Sequence, residues 1–381
     1  MNATPDNTPN GTPDAPSHDA KCHYRRNPDL LLEWAEGGGP VLVDCRRWRK
    51  FTAKPALVDL LNQLDQPQTA DQLHDRWRDS APGGDVHTLL ARLTAVGILQ
   101  RRAPDDPEGT WAGPGGDGWT PYELAVHARS GHGPVAGAGQ GTPPPARLHH
   151  PEADAVIALP DGSDAPSRPL TEVLASRRSV RAYAAERVPL PLLGTLLDRS
   201  ARVRGYLPPR AYEQTQRPAP SGGARHSLEI YVLAREVEGL PAGAYHYDPF
   251  THTLHGLSPW TAELAALQQR TVTELALLDA APPVSLYLAA CAARTTWKYE
   301  GMALSLIYRD TGCLMQTLSL AATDLGLASC LTGRMESPAT APFLAPPHHD
   351  RLIHVGSLAL GLPAAGPASP VGVPLDAQQP Q

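Results

Sequence analysis

The chain has 381 residues, long enough for two domains of ordinary size. Hydrophobic residues make up 41%, enough for a real core, and the net charge of -6 gives no electrostatic basis for a nucleic-acid partner. No stretch approaches the roughly 18 uninterrupted apolar residues of a membrane span, and the opening MNATPDNTPNGTPDAPSHDA lacks the basic-then-apolar order of a signal peptide. A cytoplasmic protein with no membrane partner is expected.

Residues 1–24 form a Pro/Asn/Thr/Asp tail that can bury little and is expected to be disordered. Residues 25–102 read as a small module. VLVDC alternates like a short strand, and PALVDLLNQL puts Leu57, Leu60, Leu61 and Leu64 on one helical face. Thr69 opens a second helix, and DVHTLLARLTAVG closes a third at Gly97 before the strand-like ILQRR. Helix, turn, helix, helix and strand is the order of a winged-helix unit. DNA binding would want a basic recognition helix, yet Asp71, Asp75 and Asp79 sit where phosphate would lie. Docking of a peptide on a strand edge is compatible with that charge, and so is a packing module without a ligand.

Residues 103–165 are rich in Pro and Gly, with only WTPYELAVHARS helical in pattern, and read as a linker carrying one docked helix. A second domain follows at 166–365, before a further tail at 366–381. RPLTEVLAS is a helix leading into an Arg-rich turn, and LPLLGTLLDRSARVR is an amphipathic helix entered through Pro191. SLEIYVLARE, GAYHYDP and HTLHGL are strands, and TAELAALQQRTVTELALLDAAP is a long helix. PPVSLYLAACA is an interior strand, CLMQTLSLAATDLGLASC a core helix, and RLIHVGSLALG the last strand. Long helices mixed with separated strands indicate an α+β fold.

The cysteines Cys22, Cys45, Cys291, Cys313 and Cys330 fall singly, with no C-x-x-C pair and no His-rich run beside them. That spacing argues against a cysteine zinc site and a disulfide framework, so no metal is expected. Cys291, Cys313, Cys330, Met302 and Met315 read as core residues, and His226 and His354 as packing or surface residues. Lysine is scarce: Lys21, Lys50, Lys54 and Lys298 are the four among 33 Lys and Arg. A chain that otherwise writes its cations as arginine has Lys at 298, and lysine, unlike arginine, can give up its proton when desolvated.

Two elements carry donors for a phosphate or a flat ring. SRRSVRAY offers Arg177, Arg178, Ser179 and Arg181 at a helix end, where charge and directed N–H and O–H bonds suit a phosphate monoester. In RPAPSGGARHSLEIYVLA, Pro220, Ser221, Gly222 and Gly223 precede a strongly apolar strand, and the glycines let the backbone approach a ligand closely. A third element is the core helix with Gln316, followed by Leu325-Gly326-Leu327 and an irregular segment ending at Thr332-Gly333.

Together and in this order, these elements resemble the nitroreductase family over residues 166–362. The resemblance implies a homodimer that builds its flavin sites across a two-fold interface. It also implies that FMN phosphate and ribityl are held by the Arg-Arg-Ser-x-Arg and Pro-Ser-x-Gly elements, with the segment after the core helix along the isoalloxazine. Two departures stand out. Ala224 replaces the family's usual Asn, and no Lys or Arg follows Gly361 to complete the phosphate site, a gap that Arg225 is expected to fill.

TTWKYEGMALSLIYRDTG narrows the resemblance. Its Lys298-Tyr299 pair, between interior strand and core helix, is similar to the signature of the SagB/ThcOx-type azoline dehydrogenases of thiazole/oxazole peptide pathways. That branch often carries an N-terminal winged-helix-like domain docking the leader of a precursor peptide, and its partner enzyme is the cyclodehydratase of the same pathway. The implied reaction removes a proton and a hydride from a thiazoline or oxazoline to give the aromatic azole. Lys298, with its pKa lowered by an apolar flavin face, is the expected base and Tyr299 its assistant, with the reverse assignment open. Dioxygen would reoxidise the flavin. A generic NAD(P)H-dependent nitro- or quinone reductase and a non-catalytic peptide-binding scaffold are the rival readings.

Overall fold

The computed structural model describes residues 21–34, 37–77, 86–104, 111, 118–131, 141–162, 164–336, 341–346, 348 and 351–365. The expected tails lie outside these, apart from residues 21–24. The chain divides into two compact units, 1–133 and 134–381.

The first unit runs β1 (His23–Arg26), β2 (Leu30–Trp34), β3 (Pro40–Asp44), β4 (Arg49–Thr52), α1 (Pro55–Gln63), β5 (Gln68–Thr69), α2 (Ala70–Trp77), α3 (Val86–Ala95), β6 (Leu99–Arg102) and α4 (Pro121–Gly131). Strands β2, β3 and β4 form one sheet, while β1 pairs antiparallel with both β5 and β6. The expected helical face is the packed one: Leu60, Leu61 and Leu64 are buried, with Leu57 against them. Thr69 and Gln72 close a reciprocal capping box at 2.9 and 3.3 Å, which fixes where α2 begins. Gly97, at φ +83, turns the chain out of α3 with Ile98 N–H on the Leu93 carbonyl at 2.9 Å.

The second unit contains β7 (Ala155–Ala158), α5 (Leu170–Ser176), β8 (Val188–Pro189), α6 (Leu190–Ala201), β9 (Gly205–Tyr206), β10 (Thr215–Gln216), β11 (Leu228–Ala234), β12 (Val237–Glu238), β13 (Gly243–Asp248), β14 (Thr253–Pro259), α7 (Ala262–Gln268), β15 (Val284–Cys291), α8 (Ala292–Thr296), α9 (Ala303–Asp324), β16 (Ala328–Thr332) and β17 (Leu352–Gly361). Seven of these strands form an antiparallel sheet in the order β16-β17-β15-β11-β13-β14-β7. In β11, Ile230 and Val232 pack with α6 and α9, while Tyr231 and Leu233 pack on the other face with Leu264 and Leu267 of α7. Burial on both faces is why β11 and β15 read as continuous apolar runs rather than alternating ones.

Four expectations are corrected. The last part of the supposed linker is structural: β7 pairs with β14, and Arg147 binds Asp248. The long helix after β14 stops at Gln268, whose side chain bonds Pro282 O and Ser285 Oγ, and a π-helical turn follows over Gln269–Thr273. Competition from tertiary bonds and the β-branched Thr271, Val272 and Thr273 outweighs its helical periodicity. The segment after the core helix is strand β16 rather than irregular, because β17 offers it an open edge. Cys313 is exposed, whereas Cys330 is buried as expected. Among the described residues, no helix is long and apolar enough to cross a membrane.

Inside β11 lies Glu229, fully buried, with its carboxylate on Arg294 at 2.5 Å and His246 at 2.8 Å. Unpaired, such a charge would cost several kcal/mol. Its burial pushes the carboxyl up, but the Arg294 guanidinium and the hydrogen bond with His246 prevail and hold it at about 2. Burial depresses His226 to about 3 and His354 to about 4. Both are therefore neutral when folded yet protonate near pH 6.5 when unfolded, so the unfolded state takes up more protons below that value. Stability of this unit is expected to be flat above about pH 6.5 and to fall between 6.5 and 4, by up to about 1.4 kcal/mol per pH unit for each histidine. Urea unfolding followed from pH 8 to 4 checks this, and His354→Gln should reduce the slope by about one proton.

Candidate active site

The Ser-Gly-Gly loop is held from within the protein. Ser221 Oγ donates to Asp310 of α9 at 2.6 Å, Gly222 N–H donates to the same carboxylate at 3.0 Å, and His226 N–H returns to Ser221 Oγ at 2.9 Å. Gln214 Nε2 donates to Gly223 O at 2.7 Å. These bonds sustain left-handed backbone at Gly223 (φ +64), Ala224 (φ +53) and His226 (φ +45), two of them non-glycine residues that pay for it in strain. Burial raises the Asp310 carboxyl, although its donors from Ser221 and Gly222 pull the other way. Sequence reasoning missed Asp310, whose signal is an acid within an otherwise apolar helix. The Ser221 hydroxyl, expected to reach a cofactor, is committed to the loop itself. Behind the loop lies a pocket of about 30 Å³ lined by Arg217, Pro220, Ser221, His226, Glu229 and Asp310. That is room for about two waters.

Against the outer side of this loop stand Lys298 and Tyr299. They follow α8, with both backbone N–H groups on the Thr295 carbonyl at 3.1 and 2.9 Å. A Cβ placed on Gly223 would lie 2.5 Å from Lys298 Nζ and 2.6 Å from the Tyr299 hydroxyl, so any side chain there would push the pair aside. The Lys298 amine donates to the Tyr212 hydroxyl and lies 4.7 Å from the Tyr212 ring centre and 5.0 Å from that of Tyr299. Tyr212 was not singled out from the sequence, where it is one tyrosine in a Pro-rich loop. Its ring packs edge-on to Trp297 at 5.7 Å.

Here the chemistry differs from expectation. Partial burial works against the Lys298 ammonium, but hydrogen bonds with Tyr212 and Tyr299 outweigh it and hold the amine above the ordinary lysine value. Lys298 therefore rests protonated. Arg225 also departs from the expected role. It is 1% exposed, donates to the carbonyls of Arg294 (2.9 Å), Glu213 (3.0 Å) and Pro144 (2.8 Å), and packs 5.0 Å from the Tyr212 ring. It braces the wall behind Lys298 and does not replace the missing phosphate contacts.

The arginine turn lies elsewhere in the chain. Arg168, just before α5, bonds Asp324 at 2.7 Å and Ser176 at 3.1 Å, and Val180 N–H meets Ser329 O at 2.8 Å. The turn thus sits at the C-terminal end of α9, whereas Asp310 holds the glycine loop fourteen residues earlier, about 20 Å along the helix. One copy does not bring the two elements together. Arg181 Nε donates to Ala276 O at 2.8 Å, but Arg177, Arg178 and Ser179 have no side-chain partner among the described residues, and Arg178 Nε is buried without one. Gln316 and Gly333 are exposed, while the Thr332 hydroxyl is buried against the carbonyls of Thr271 and Ser357 at 3.1 and 3.2 Å.

Residues 174–361 match the Nitroreductase family. The relative MJ1384 of Methanocaldococcus jannaschii, itself named a nitroreductase, is 32% identical over 186 residues that span 46% of this chain and 83% of its own length. The chain belongs to the nitroreductase family. Its nitroreductase domain carries both the glycine loop and the Lys-Tyr pair. The trifolitoxin-processing protein TfxB of Rhizobium leguminosarum is 33% identical over 109 residues, 26% of this chain and 29% of TfxB. A nitroreductase structure from Ralstonia eutropha aligns with 61% of this chain and 99% of its own, at 22% identity and a TM-score of 0.44.

Proposed function

We propose that this protein is an FMN-dependent dehydrogenase that oxidises azolines to azoles in a ribosomally made precursor peptide. The observation that carries the reading is the convergence of the Lys298 amine and the Tyr299 hydroxyl on Gly223. A generic flavin reductase has no need of an amine and a phenol packed against that loop. The similarity to TfxB, which is named for processing trifolitoxin, supports a role in maturing a product rather than reducing a small nitroaromatic.

The residues fit FMN. The unpartnered donors of Arg177, Arg178 and Ser179, including the buried Arg178 Nε, suit a phosphate. Because the glycine loop sits about 20 Å away along α9, the complete cradle combines the arginine turn of one copy with the loop of a two-fold-related copy. Bound FMN supplies the acceptor for the ring hydride. Lys298 is placed to donate rather than to accept, so the ring proton would pass to the Tyr299 oxygen after that hydroxyl has released its own proton to solvent, with the Lys298 ammonium balancing the phenolate charge. Tyr212, Trp297 and the buried Arg225 hold Lys298 in place and exclude water from behind it. The first unit, winged-helix-like in order, docks the leader peptide by strand addition to a sheet edge, and the cyclodehydratase of a cytoplasmic pathway delivers the substrate.

Mass spectrometry of an azoline-bearing peptide after incubation tests the reading: a loss of two hydrogens per ring is expected. Brisk NADPH consumption with a nitroaromatic, and no mass change, would replace it by a generic reductase. Arg178→Ala should bind FMN about 10–100-fold more weakly, the worth of one charge-assisted hydrogen bond, as measured by flavin fluorescence on titration.

A further inference from the structure

We propose that His150, Glu152 and His348 form a binding site for a divalent late first-row metal ion, with zinc as its representative. One ligand atom from each of the three lies within 4.8 Å of the other two. Zinc, with bonds of about 2.0–2.2 Å, holds tetrahedral ligands about 3.4 Å apart, so small side-chain shifts bring all three within bonding reach of one ion. His150 Nδ1 and Glu152 Oε1 already meet at 2.8 Å, and the proton between them is the one an ion displaces.

The surroundings are those of a built site. His150 is 4% exposed, and its other nitrogen is 3.1 Å from the Tyr231 hydroxyl, the outer support that orients a ligating imidazole. The His348 ring lies 4.5 Å from that of His150, and the His246 ring lies 4.6 Å away on its own side. His246 is 1% exposed and fixed to Glu229 at 2.8 Å, yet its Nδ1 is buried with no partner. The buried His150 ring, set against Tyr231 in an apolar layer with Leu233 and Phe343, forgoes hydration that an ion would compensate. The Glu152 side chain, 30% exposed, gives solvent access and an open coordination position.

Two imidazoles and one carboxylate select zinc or a neighbouring transition ion over calcium or magnesium, which demand oxygen shells. The ligands come from segments about two hundred residues apart, so no spacing motif announces them, and the five cysteines take no part. The bound ion ties the segment leading into β7 to the one leading into β17. The first of these also presents the Pro144 and Pro145 carbonyls to Arg225 and Arg294. The site does not depend on the proposed dehydrogenase activity.

Calorimetric titration of the tag-free, chelator-treated full chain with zinc chloride tests the proposal. One equivalent per chain is expected, with a raised unfolding temperature, and binding at least about tenfold weaker in both Glu152→Gln and His348→Ala, each the loss of one ligand. Calcium chloride should give no binding. Absence of saturable zinc binding, affinity unchanged in both variants, or calcium binding as tightly as zinc would overturn it.

Discussion

Lys298→Ala is expected to retain FMN and its yellow colour while losing the two-hydrogen mass change by about 10²–10⁴-fold, the usual worth of a positioned proton-transfer group. The amine lies against Gly223, away from the arginine turn, so its removal leaves the phosphate donors intact. Two further variants separate its roles. Because hydrogen bonds to Tyr212 and Tyr299 keep Lys298 charged, its part is to donate and to balance charge. Arginine is always charged, so Lys298→Arg should keep more activity than Lys298→Ala. Tyr299→Phe should lose as much as Lys298→Ala. Equal loss in the arginine and alanine variants, with Tyr299→Phe active, would return the base role to the lysine.

The second large effect belongs to Gly223→Ala. The new methyl costs about 1–2 kcal/mol for its left-handed backbone alone. It would also stand 2.5 Å from Lys298 Nζ and 2.6 Å from the Tyr299 hydroxyl, so the pair must move. A displacement near 1 Å at reacting groups costs about 100-fold in rate. The expected result is a folded protein, by circular dichroism, whose kcat falls about 100-fold while leader-peptide affinity holds. The neighbouring Gly222 offers the control: a Cβ there meets only Leu306 side-chain atoms at 3.3 Å, so Gly222→Ala should be milder.

Both effects rest on a contact that the motifs announced only in part. Lys298 stood out because arginine supplies nearly every other cation, and the glycine loop stood out because it precedes an apolar strand. That the two touch depends on α8 returning the chain from β15 to the loop before β11, which no local pattern records. Tyr212 and Asp310 escaped notice for the same reason: each is defined by a partner across the fold, at Lys298 and at Ser221. Arg225, Ser221 and Thr332 matched a ligand-binding pattern, yet their donors close on the protein's own carbonyls and carboxylates.

Local physical chemistry was legible wherever it is local. The capping box at Thr69, the stop at Gly97, the apolar faces of α1 and α6 and the buried run of β11 follow from side-chain periodicity and backbone preference, which neighbouring residues suffice to set. The tertiary structure alone decided that α7 would break into a π-helical turn, that β7 would join the sheet, and that the arginine turn and the glycine loop would lie about 20 Å apart along α9. It also decided the charge on Lys298. Each of these is set by which distant groups satisfy a buried donor, acceptor or charge, and that pairing exists only once the chain has closed on itself.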